Sequence, residues 1–327
     1  MNKYTFMSLN LVDKRLLYLL DQNCRQSTTQ LAKQLRVHRN VVLYRLKRLE
    51  DSGVIRGYFT EVDIMKIGYV SFRVLLKLSN FTVDEEKEMV DYLMSVGQLM
   101  WFFKTEGKYD IDIVYACKSN TEFNSLLIEL KTKFNRIIEE EKTSTLLQIQ
   151  HFTKDYFVNM KREDIKTKKF EDKTIVIDEK DKKILSSLSN NARMNIIDIA
   201  KKTQLSVNTV KDRLKVLGKE KIILGYKPFI DTEKTGYTYY KIFINLKNYM
   251  HQDYLKIYAF FEYNMNVIYL TKYLNGDDME VEIHLENDRK LSEFKGVIME
   301  KFGKIIKEMY SLRFIHEYIY KYLPEKM

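Results

Sequence analysis

The sequence repeats itself at an offset of 168 residues. Asp13 to Tyr58 align without a gap on Asp181 to Tyr226, and 17 of these 46 positions are identical. The identical pairs include Asp13/Asp181, Arg25/Arg193, Ala32/Ala200, Val42/Val210, Arg45/Arg213, Leu49/Leu217 and Gly57/Gly225. The period is far longer than the roughly 20–50 residues of solenoid and propeller repeats. We therefore infer that one unit of more than one domain is present twice.

Positive charge is concentrated in the N-terminal part of each repeat. Residues 1–58 carry 11 basic and 4 acidic side chains, whereas residues 59–160 carry 12 and 16. Residues 169–226 carry 13 and 8, and residues 227–327 carry 15 of each. Because basic modules attract polyanions such as DNA, the alternation predicts two polyanion-binding modules, each followed by a module with another task.

Each basic segment has the periodicity of three short helices. In the first repeat, apolar positions predict an amphipathic helix from Asp13 and a second over Thr28 to Leu35, and a third runs from about Arg39 to Asp51. Gly53 ends the third helix, and the strand that follows starts a wing. Three short helices with a tight break before the third predict a winged helix-turn-helix.

The third helix of the first repeat offers side chains suited to DNA. Val42, Leu46 and Leu49 are predicted to be buried, which leaves the opposite face for amide and guanidinium groups that can read base edges and for cations that suit phosphates. His38 stands at the N-cap position of this helix, where histidine is a poor cap. The predicted DNA-binding residues are His38, Arg39, Asn40, Tyr44, Arg45, Lys47 and Arg48.

The second repeat presents different chemistry at the same place. Ser206 is a good N-cap, Val210, Leu214 and Leu217 are predicted to be buried, and Asp212 replaces Tyr44. The predicted DNA-binding residues are Ser206, Asn208, Thr209, Lys211, Arg213 and Lys215. Arg45 and Arg213 could each either hold the helix in place through a contact within the domain, which we call a brace, or contact a DNA phosphate. We expect the two helices to prefer different half-sites, or one of them to dominate.

The following hundred residues of each repeat alternate between strand and helix patterns in the order βαββαβ, which is the ferredoxin-like arrangement. The first set is Ser71–Leu78, Asp84–Ser95, Leu99–Thr105, Ile111–Ala116, Thr121–Phe134 and Thr143–Phe152. The second set is Tyr239–Leu246, Gln252–Tyr263, Val267–Tyr273, Val281–Leu285, Arg289–Phe302 and Glu308–Ile315. The fold class is therefore α+β.

The predicted domains follow from these patterns and from the charged, core-poor segment between the repeats. They are a winged helix-turn-helix over 1–58, a ferredoxin-like ligand-sensing domain over 59–160, a linker over 161–173, a second winged helix-turn-helix over 174–226 and a second ligand-sensing domain over 227–327.

The helix-turn-helix stretches resemble the Lrp/AsnC (feast/famine) family of transcription regulators. The likeness is carried by Asp13-Lys-Arg-Leu-Leu, Arg25, Leu31-Ala-Lys, Val42, Arg45-Leu-Lys-Arg-Leu-Glu and Gly53-Val-Ile-Arg-Gly-Tyr58, with a similar set in the second copy. The resemblance implies a winged helix-turn-helix followed by a RAM-type sensor domain. It also implies dimers that form through the sensor sheets and an amino acid or related effector.

The resemblance also suggests where an effector binds. Gly107-Lys-Tyr-Asp110 matches the family's Gly-x-Tyr-Asp turn, which implies an effector site at Gly107, Tyr109 and Asp110. Glycine and aspartate are equally ordinary turn residues, so a purely structural role stays open. Because family members usually carry one unit per chain, this tandem chain is expected to form an intramolecular pseudo-dimer, a homo-oligomer through the sensor sheets, or both.

The remaining signals favour a cytoplasmic protein with no cofactor and no membrane association. There is no run of 18 uncharged apolar residues and no apolar signal core before Asp13. Cys24 and Cys117 lie far apart, without metal-ligand spacing, and indicate a reducing compartment. His151 and His316 are expected to be structural, and neither catalytic residues nor a metal site are predicted.

Two other functions compete with a regulator that binds double-stranded DNA. Siroheme decarboxylases resemble the same family and also occur as fused pairs, but their sensor-like halves should offer histidine and arginine clusters for a polycarboxylate macrocycle. The only arginines and histidines among residues 59–160 are Arg73, Arg136 and His151. A weakly specific architectural DNA-binding protein is the other alternative, and the helical modules could also serve protein contacts.

Overall fold

The computed structural model describes residues 8–160, 166–169, 174–189 and 191–324. The first helix-turn-helix domain contains α1 (Leu11–Gln22), α2 (Thr28–Leu35) and α3 (Arg39–Asp51). The second contains α6 (Glu179–Ser189), α7 (Ile196–Thr203) and α8 (Val207–Lys219). In both domains the turn before the third helix begins with a left-handed residue, Arg36 or Gln204, with φ of 56° and 58°.

The two sheet domains have the predicted element order βαββαβ. The elements of the first sheet domain are β2 (Val70–Leu78), α4 (Val83–Ser95), β3 (Leu99–Gly107), β4 (Ile111–Cys117), α5 (Asn120–Phe134) and β5 (Ile138–His151). Those of the second are β8 (Thr238–Leu246), α9 (His251–Glu262), β9 (Val267–Leu274), β10 (Met279–Leu285), α10 (Asp288–Phe302) and β11 (Ile306–Tyr320).

Eight strands of the two sheet domains close into one barrel. Their order is β2-β4-β3-β11-β8-β10-β9-β5, and β5 pairs again with β2. Alternate residues of each strand therefore face either the helices outside or the interior of the barrel. On β4, for example, Ile111 and Ile113 belong to the core that includes residues of α4 and α5, which leaves Asp112 for the interior. No helix in the described part of the chain is long and apolar enough to cross a bilayer.

The last strand of each sheet domain is longer than the sequence pattern predicts. The first half of β5 pairs with β2 of its own domain, and its second half pairs with β9 of the other domain. Likewise, β11 pairs first with β8 and then with β3. Each long strand thus passes from one sheet to the other and closes the barrel. The pattern missed this because a strand's partner is not encoded in its own alternation.

The strands after the two helix-turn-helix domains pair with each other. These strands, β1 (Ile55–Val62) and β7 (Ile223–Ile230), form a two-stranded antiparallel ribbon in which Tyr58 faces Pro228 and Thr60 faces Tyr226. The expected domain boundary at residue 58 therefore falls inside a continuous strand. Within the expected linker 161–173, β6 (Lys166–Lys169) pairs with β5, and the other linker residues lie outside the described residues.

Equivalent residues of the two repeats make reciprocal contacts beside this ribbon. The amide of Cys24 donates to the carbonyl of Tyr226 over 2.8 Å, and the equivalent amide of Ala192 donates to the carbonyl of Tyr58 over 3.0 Å. The guanidinium of Arg25 lies 5.0 Å from the centre of the Tyr226 ring, and that of Arg193 lies 5.0 Å from the Tyr58 ring. Each helix-turn-helix domain is thus attached to the wing strand of the other repeat.

The hydrophobic cores follow the same crossed arrangement. The core of the first helix-turn-helix domain continues onto Ile230 and Ile268 of the second repeat. The core of the second domain continues onto Val62, Ile64 and Met100 of the first repeat. The two units therefore pack against each other within the chain.

Asp21 links α1 to both the first sheet domain and the ribbon. Its fully buried carboxylate accepts hydrogen bonds from the amide and Nζ of Lys154 over 3.0 and 2.8 Å, and Lys227 Nζ lies 3.7 Å away. Burial raises the pKa of Asp21, but the charges of Lys154 and Lys227 lower it by more. The carboxyl group therefore titrates below its ordinary value of 3.8.

Replacing Asp21 with asparagine should lower the free energy of unfolding by about 3 kcal/mol at pH 7, because the change leaves Lys227 buried beside a neutral group. A depressed pKa stabilises the fold above the unfolded-state value and ceases to do so as pH falls through the folded-state value. The difference between wild type and Asp21→Asn should therefore shrink below about pH 4. Urea unfolding at pH 7 and at acid pH measures it, and an equal difference at both would contradict this assignment.

Candidate nucleic-acid interface

The third helix of the first helix-turn-helix domain presents a broad polar face to solvent. Val42, Leu46 and Leu49 are buried, as predicted, and Tyr44 on the opposite side is 66% exposed. The exposed residues on and just before this helix include Arg39, Asn40, Leu43, Lys47 and the N-cap residue His38. This face combines an amide, a guanidinium, an ammonium and an aromatic ring, which are groups that suit base edges and phosphates.

The arginines at the rear of α3 are held inside the domain. Arg45 Nη1 donates to Asp13 Oδ1 over 2.8 Å, and Arg48 Nη2 donates to Asp13 Oδ2 over 2.5 Å. Asp13 is fully buried near the start of α1, where its carboxylate also accepts the amide of Asn10 and closes a capping box. The geometry favours the brace for Arg45 and gives Arg48 the same role.

The third helix of the second domain repeats this division with different side chains. Val210 and Leu217 are buried, whereas Leu214 is only half-buried. Arg213 bonds to Asp181 over 3.1 Å and to Asp178 over 2.8 Å, which is again a brace to the first helix of its domain. The exposed residues are Asn208, Lys211, Asp212 and Lys215, and Thr209 is half-buried. A carboxylate thus stands among the lysines where α3 has Tyr44.

The two N-cap residues differ as the sequence suggested. Ser206 accepts a hydrogen bond from the amide of Thr209 over 3.0 Å, which is the usual cap geometry. His38 accepts only from the amide of Asn40, through Nδ1 over 3.3 Å. Arg39 Nε donates to Thr28 Oγ1 over 3.1 Å, so this guanidinium is positioned by α2 at the start of α3.

The turn predicted to bind an effector is closely integrated into the barrel. Gly107 has φ of +139°, and a Cβ there would lie 2.6 Å from the carbonyl oxygen of Ser311. The Tyr109 ring is buried and its hydroxyl donates to Glu140 over 2.9 Å. Asp110 accepts the amide of Leu78 over 2.8 Å. These contacts give all three residues structural roles, and effector binding at the turn stays a prediction.

The corresponding turn of the second sheet domain keeps the aspartate and loses the tyrosine. Asp278 accepts the amide of Leu246 over 2.7 Å, as Asp110 does for Leu78 at the 168-residue offset. Asp277 stands at the Tyr109 position and pairs with Lys142 over 2.6 Å. Alignment by the glycines alone, Gly107 with Gly276, is therefore shifted by one residue from the structural equivalence.

A layer of charged side chains lies inside the barrel and was missed by sequence reasoning. We call it the charged layer; its members are Arg73, Asp112, Lys241, Glu280 and Glu282. Arg73 forms a bidentate pair with Glu280, and Lys241 Nζ lies 3.2 Å from both Glu280 and Glu282. The signal was present, because these charges occupy alternate positions of strands whose other residues are apolar. By itself, this alternation indicates only a strand.

The cysteines and histidines singled out in the sequence make ordinary packing and pairing contacts in the fold. Cys24 and Cys117 are both buried and unpaired, and burial raises the pKa of each thiol to about 12. His151 pairs with Glu61 inside the molecule, and the His316 ring packs edge-to-face on Tyr318 with centroids 4.4 Å apart. Among the residues that the structure describes, no group of three or more histidine, cysteine, aspartate or glutamate side chains could hold a metal ion.

Comparison with known proteins decides the family. A model described as winged helix-turn-helix DNA-binding matches residues 9–56 and 177–223. The DNA-binding transcriptional activator DecR of Escherichia coli is 31% identical over 103 residues, which cover 31% of this chain and 68% of DecR. The regulatory protein AsnC of Haemophilus influenzae is 26% identical to this chain over the matched residues.

 That match with AsnC spans 147 residues, which make up 44% of this chain and 93% of AsnC. The chain belongs to the Lrp/AsnC family.

Similarity to a solved structure extends over both units of this Lrp/AsnC chain. The siroheme decarboxylase NirDL superposes with a TM-score of 0.64 at 11% sequence identity, covering 97% of this chain and 95% of NirDL. At this identity the likeness concerns the fold alone. It shows that the arrangement of two such units in one chain also occurs in another protein.

The division of α3 into a braced side and an exposed side predicts different effects of two substitutions. Arg45→Ala should lower the free energy of unfolding by about 1–3 kcal/mol, because it leaves part of the buried Asp13 carboxylate without its charged donor. The matched change Lys47→Ala, on the exposed face of the same helix, should alter it by less than about 0.5 kcal/mol. Urea unfolding compares them, and equal losses would refute the bracing role.

Proposed function

We propose that this chain is a sequence-specific DNA-binding transcription regulator whose helices α3 and α8 enter the major groove. The observation that carries the proposal is the exposed polar face on each of these helices, at the place where a helix-turn-helix presents its recognition helix. Braced arginines hold each helix from behind, so the exposed groups are presented on a rigid support. We call α3 and α8 the reading helices.

The exposed side chains divide into groups that read sequence and groups that bind phosphate. Asn40 and Asn208 lie near the N-terminal ends of the reading helices, where side chains of such helices contact base edges. Arg39 is suited to a bidentate contact with guanine. The ammonium groups of Lys47, Lys211 and Lys215 suit phosphates, which fix the register of the protein on the duplex. We infer different half-sites for the two helices because their side chains differ.

The sheet domains support a regulatory role as the part of the chain that responds to a small molecule. We retain the turn at Gly107, Tyr109 and Asp110 as one predicted site for an amino acid or related effector. Assembly of several chains through their sheet domains is a further prediction. Since the proposed target is chromosomal DNA, we place the protein in the cytoplasm.

The double substitution Arg39→Ala/Asn40→Ala tests the first reading helix. It should weaken binding to the selected DNA site by about 1–3 kcal/mol and relax the base preference at one half-site only. The control Lys87→Ala removes an exposed charge from α4, away from both reading helices, and should leave affinity unchanged. Fluorescence anisotropy with duplexes mutated in either half-site measures both effects. Unchanged binding by the double variant would remove α3 from the interface.

The same titrations separate a specific regulator from an architectural protein. Both should lose affinity as salt rises, because counterions are released from the phosphates. Only the regulator should bind its selected site about 10³-fold or more tightly than unrelated duplex DNA. Affinity that hardly depends on sequence would favour the architectural alternative.

An enzymatic function like that of a siroheme decarboxylase is favoured by the full-length similarity to NirDL. The barrel interior argues against it. Its cavity is about 130 Å³, below the roughly 300–1,000 Å³ of pockets for drug-sized ligands. Lys241, a cation on its wall, is already bound by carboxylates, and the charged layer carries more acidic than basic groups. Such a wall would repel a polycarboxylate macrocycle.

NirDL has also been solved in co-complex with an iron-uroporphyrin III analogue, so titration with iron-uroporphyrin III tests this alternative directly. We expect no shift of the porphyrin absorption band and no quenching of Trp101, which lies on the cavity wall. Saturable spectral change in stoichiometric amounts, lost when Lys241 is replaced by alanine, would instead support tetrapyrrole binding. Iron-uroporphyrin III with an unrelated protein of similar net charge serves as the control.

A further inference from the structure

A partly open cavity lies between the two sheet domains, at the end of the barrel that faces the helix-turn-helix domains. Its volume is about 130 Å³, close to that of the engineered apolar cavity of about 150 Å³ that binds benzene. Its wall includes the aromatic rings of Trp101, Tyr269, Tyr273, Tyr320 and Tyr322. The space therefore suits a small organic molecule.

One carboxylate on this wall lacks the hydrogen bonds that buried carboxylates normally have. Asp112 is fully buried, and within the described part of the chain neither of its oxygens has a hydrogen-bond donor. The nearest cation given by the structure, Lys241 Nζ, lies 3.8 Å from Oδ2, beyond hydrogen-bonding distance. The hydroxyl of Thr271, only 3% exposed on the same wall, also lacks a hydrogen-bond partner among the described residues. Two buried polar groups thus converge on the cavity.

The charges around Asp112 leave a deficit of positive charge. The charged layer contains the cations Arg73 and Lys241 and the anions Asp112, Glu280 and Glu282. Arg73 forms its ion pair with Glu280, and the ammonium group of Lys241 lies closer to Glu280 and Glu282 than to Asp112. Burial raises the pKa of Asp112 against the opposing effect of Lys241 and Arg73. A positive ligand would complete the layer, whereas an anion would meet an excess of carboxylates.

We propose that this cavity binds a small organic cation through a primary ammonium group that contacts Asp112. An ammonium group has three donors, which matches the two oxygens of Asp112 and the hydroxyl of Thr271. Charge-assisted hydrogen bonds are the strong ones in a buried site, and the aromatic rings can face the cation as well as the apolar body of the ligand. An uncharged molecule of the same shape would leave the carboxylate uncompensated.

The position of the cavity gives it a route to the second helix-turn-helix domain. Part of its wall is the segment Val62 to Met65, which follows the ribbon strand β1. Val62 and Ile64 belong to the same hydrophobic core as Ile184 and Val210 of the second helix-turn-helix domain, and the amide of Asp63 donates to the carbonyl of Ile222 over 2.8 Å. A ligand in the cavity would therefore alter the support of α8. This regulatory step rests on the proposed DNA-binding function, whereas ligand binding itself does not.

Isothermal titration calorimetry on the full chain without DNA tests the site with three probes of one shape. Isobutylamine carries the ammonium group, isobutanol lacks the charge, and L-valine adds a carboxylate to the amine. Isobutylamine should bind with saturation by about 10 mM, a concentration that nearly fills a site of about 1 mM Kd. Isobutanol should bind at least about tenfold more weakly. Binding of L-valine that also depends on Asp112 would identify amino acids as the source of the ammonium group.

Asp112→Asn keeps the shape of the side chain and removes its charge, so it should weaken isobutylamine binding at least about tenfold. The matched control Asp91→Asn removes an exposed charge from α4 and should bind as wild type does. If Asp112→Asn does not fold, Thr271→Val tests the site with the carboxylate in place, and a several-fold loss is expected. Failure of wild type to bind isobutylamine, or equal binding of isobutanol, would overturn the proposal.

If isobutylamine binds and depends on Asp112, the same ligand should change the affinity of the chain for its DNA site. That change would be measured by anisotropy and should disappear in Asp112→Asn. Calorimetry without DNA supports or overturns the cavity proposal whatever the outcome of DNA binding. A chain that binds isobutylamine but no duplex would overturn the proposed function alone.

Discussion

The pairing of β1 with β7 is the interaction on which the rest of the structure depends. This ribbon joins the two repeats beside the barrel and brings each helix-turn-helix domain against the other repeat. Because Cys24 and Ala192 each hydrogen-bond to the wing strand of the other repeat, neither helical domain is attached to its own unit alone. The relative placement of α3 and α8 is therefore set by backbone hydrogen bonds and shared cores rather than by a flexible connection.

The sequence predicted the local structure well because its signals are local. Apolar periodicity placed the three helices of each helical domain, and the βαββαβ order followed from alternation. The extension of β11 beyond Ile315 could not be predicted, because residues 316–320 pair with β3 of the other sheet domain. For β5 the sequence predicted the half that pairs with the other sheet domain but not that β9 is its partner. The crossing of the two units was equally invisible, since a duplication gives two units and says nothing about which unit supports which.

The candidate site divides in the same way. The exposed faces of α3 and α8 followed from helical spacing, because burial of one face leaves the other in water. The sequence could not decide between a brace and a phosphate contact for Arg45, because the brace depends on a contact with Asp13, 32 residues away on α1. The charged layer could not be predicted without knowing that the strands form a barrel, because Asp112 on β4 and Lys241 on β8 come from different repeats and meet only inside it.

We propose that one chain holds its two reading helices at a fixed separation on one duplex. Hydroxyl-radical footprinting of the intact chain on its selected DNA site tests this most directly. We predict two protected windows on the same face of the duplex, one helical turn or a multiple of it apart, about 34–36 Å per turn. A single protected window, with both repeats intact and folded, would contradict the account.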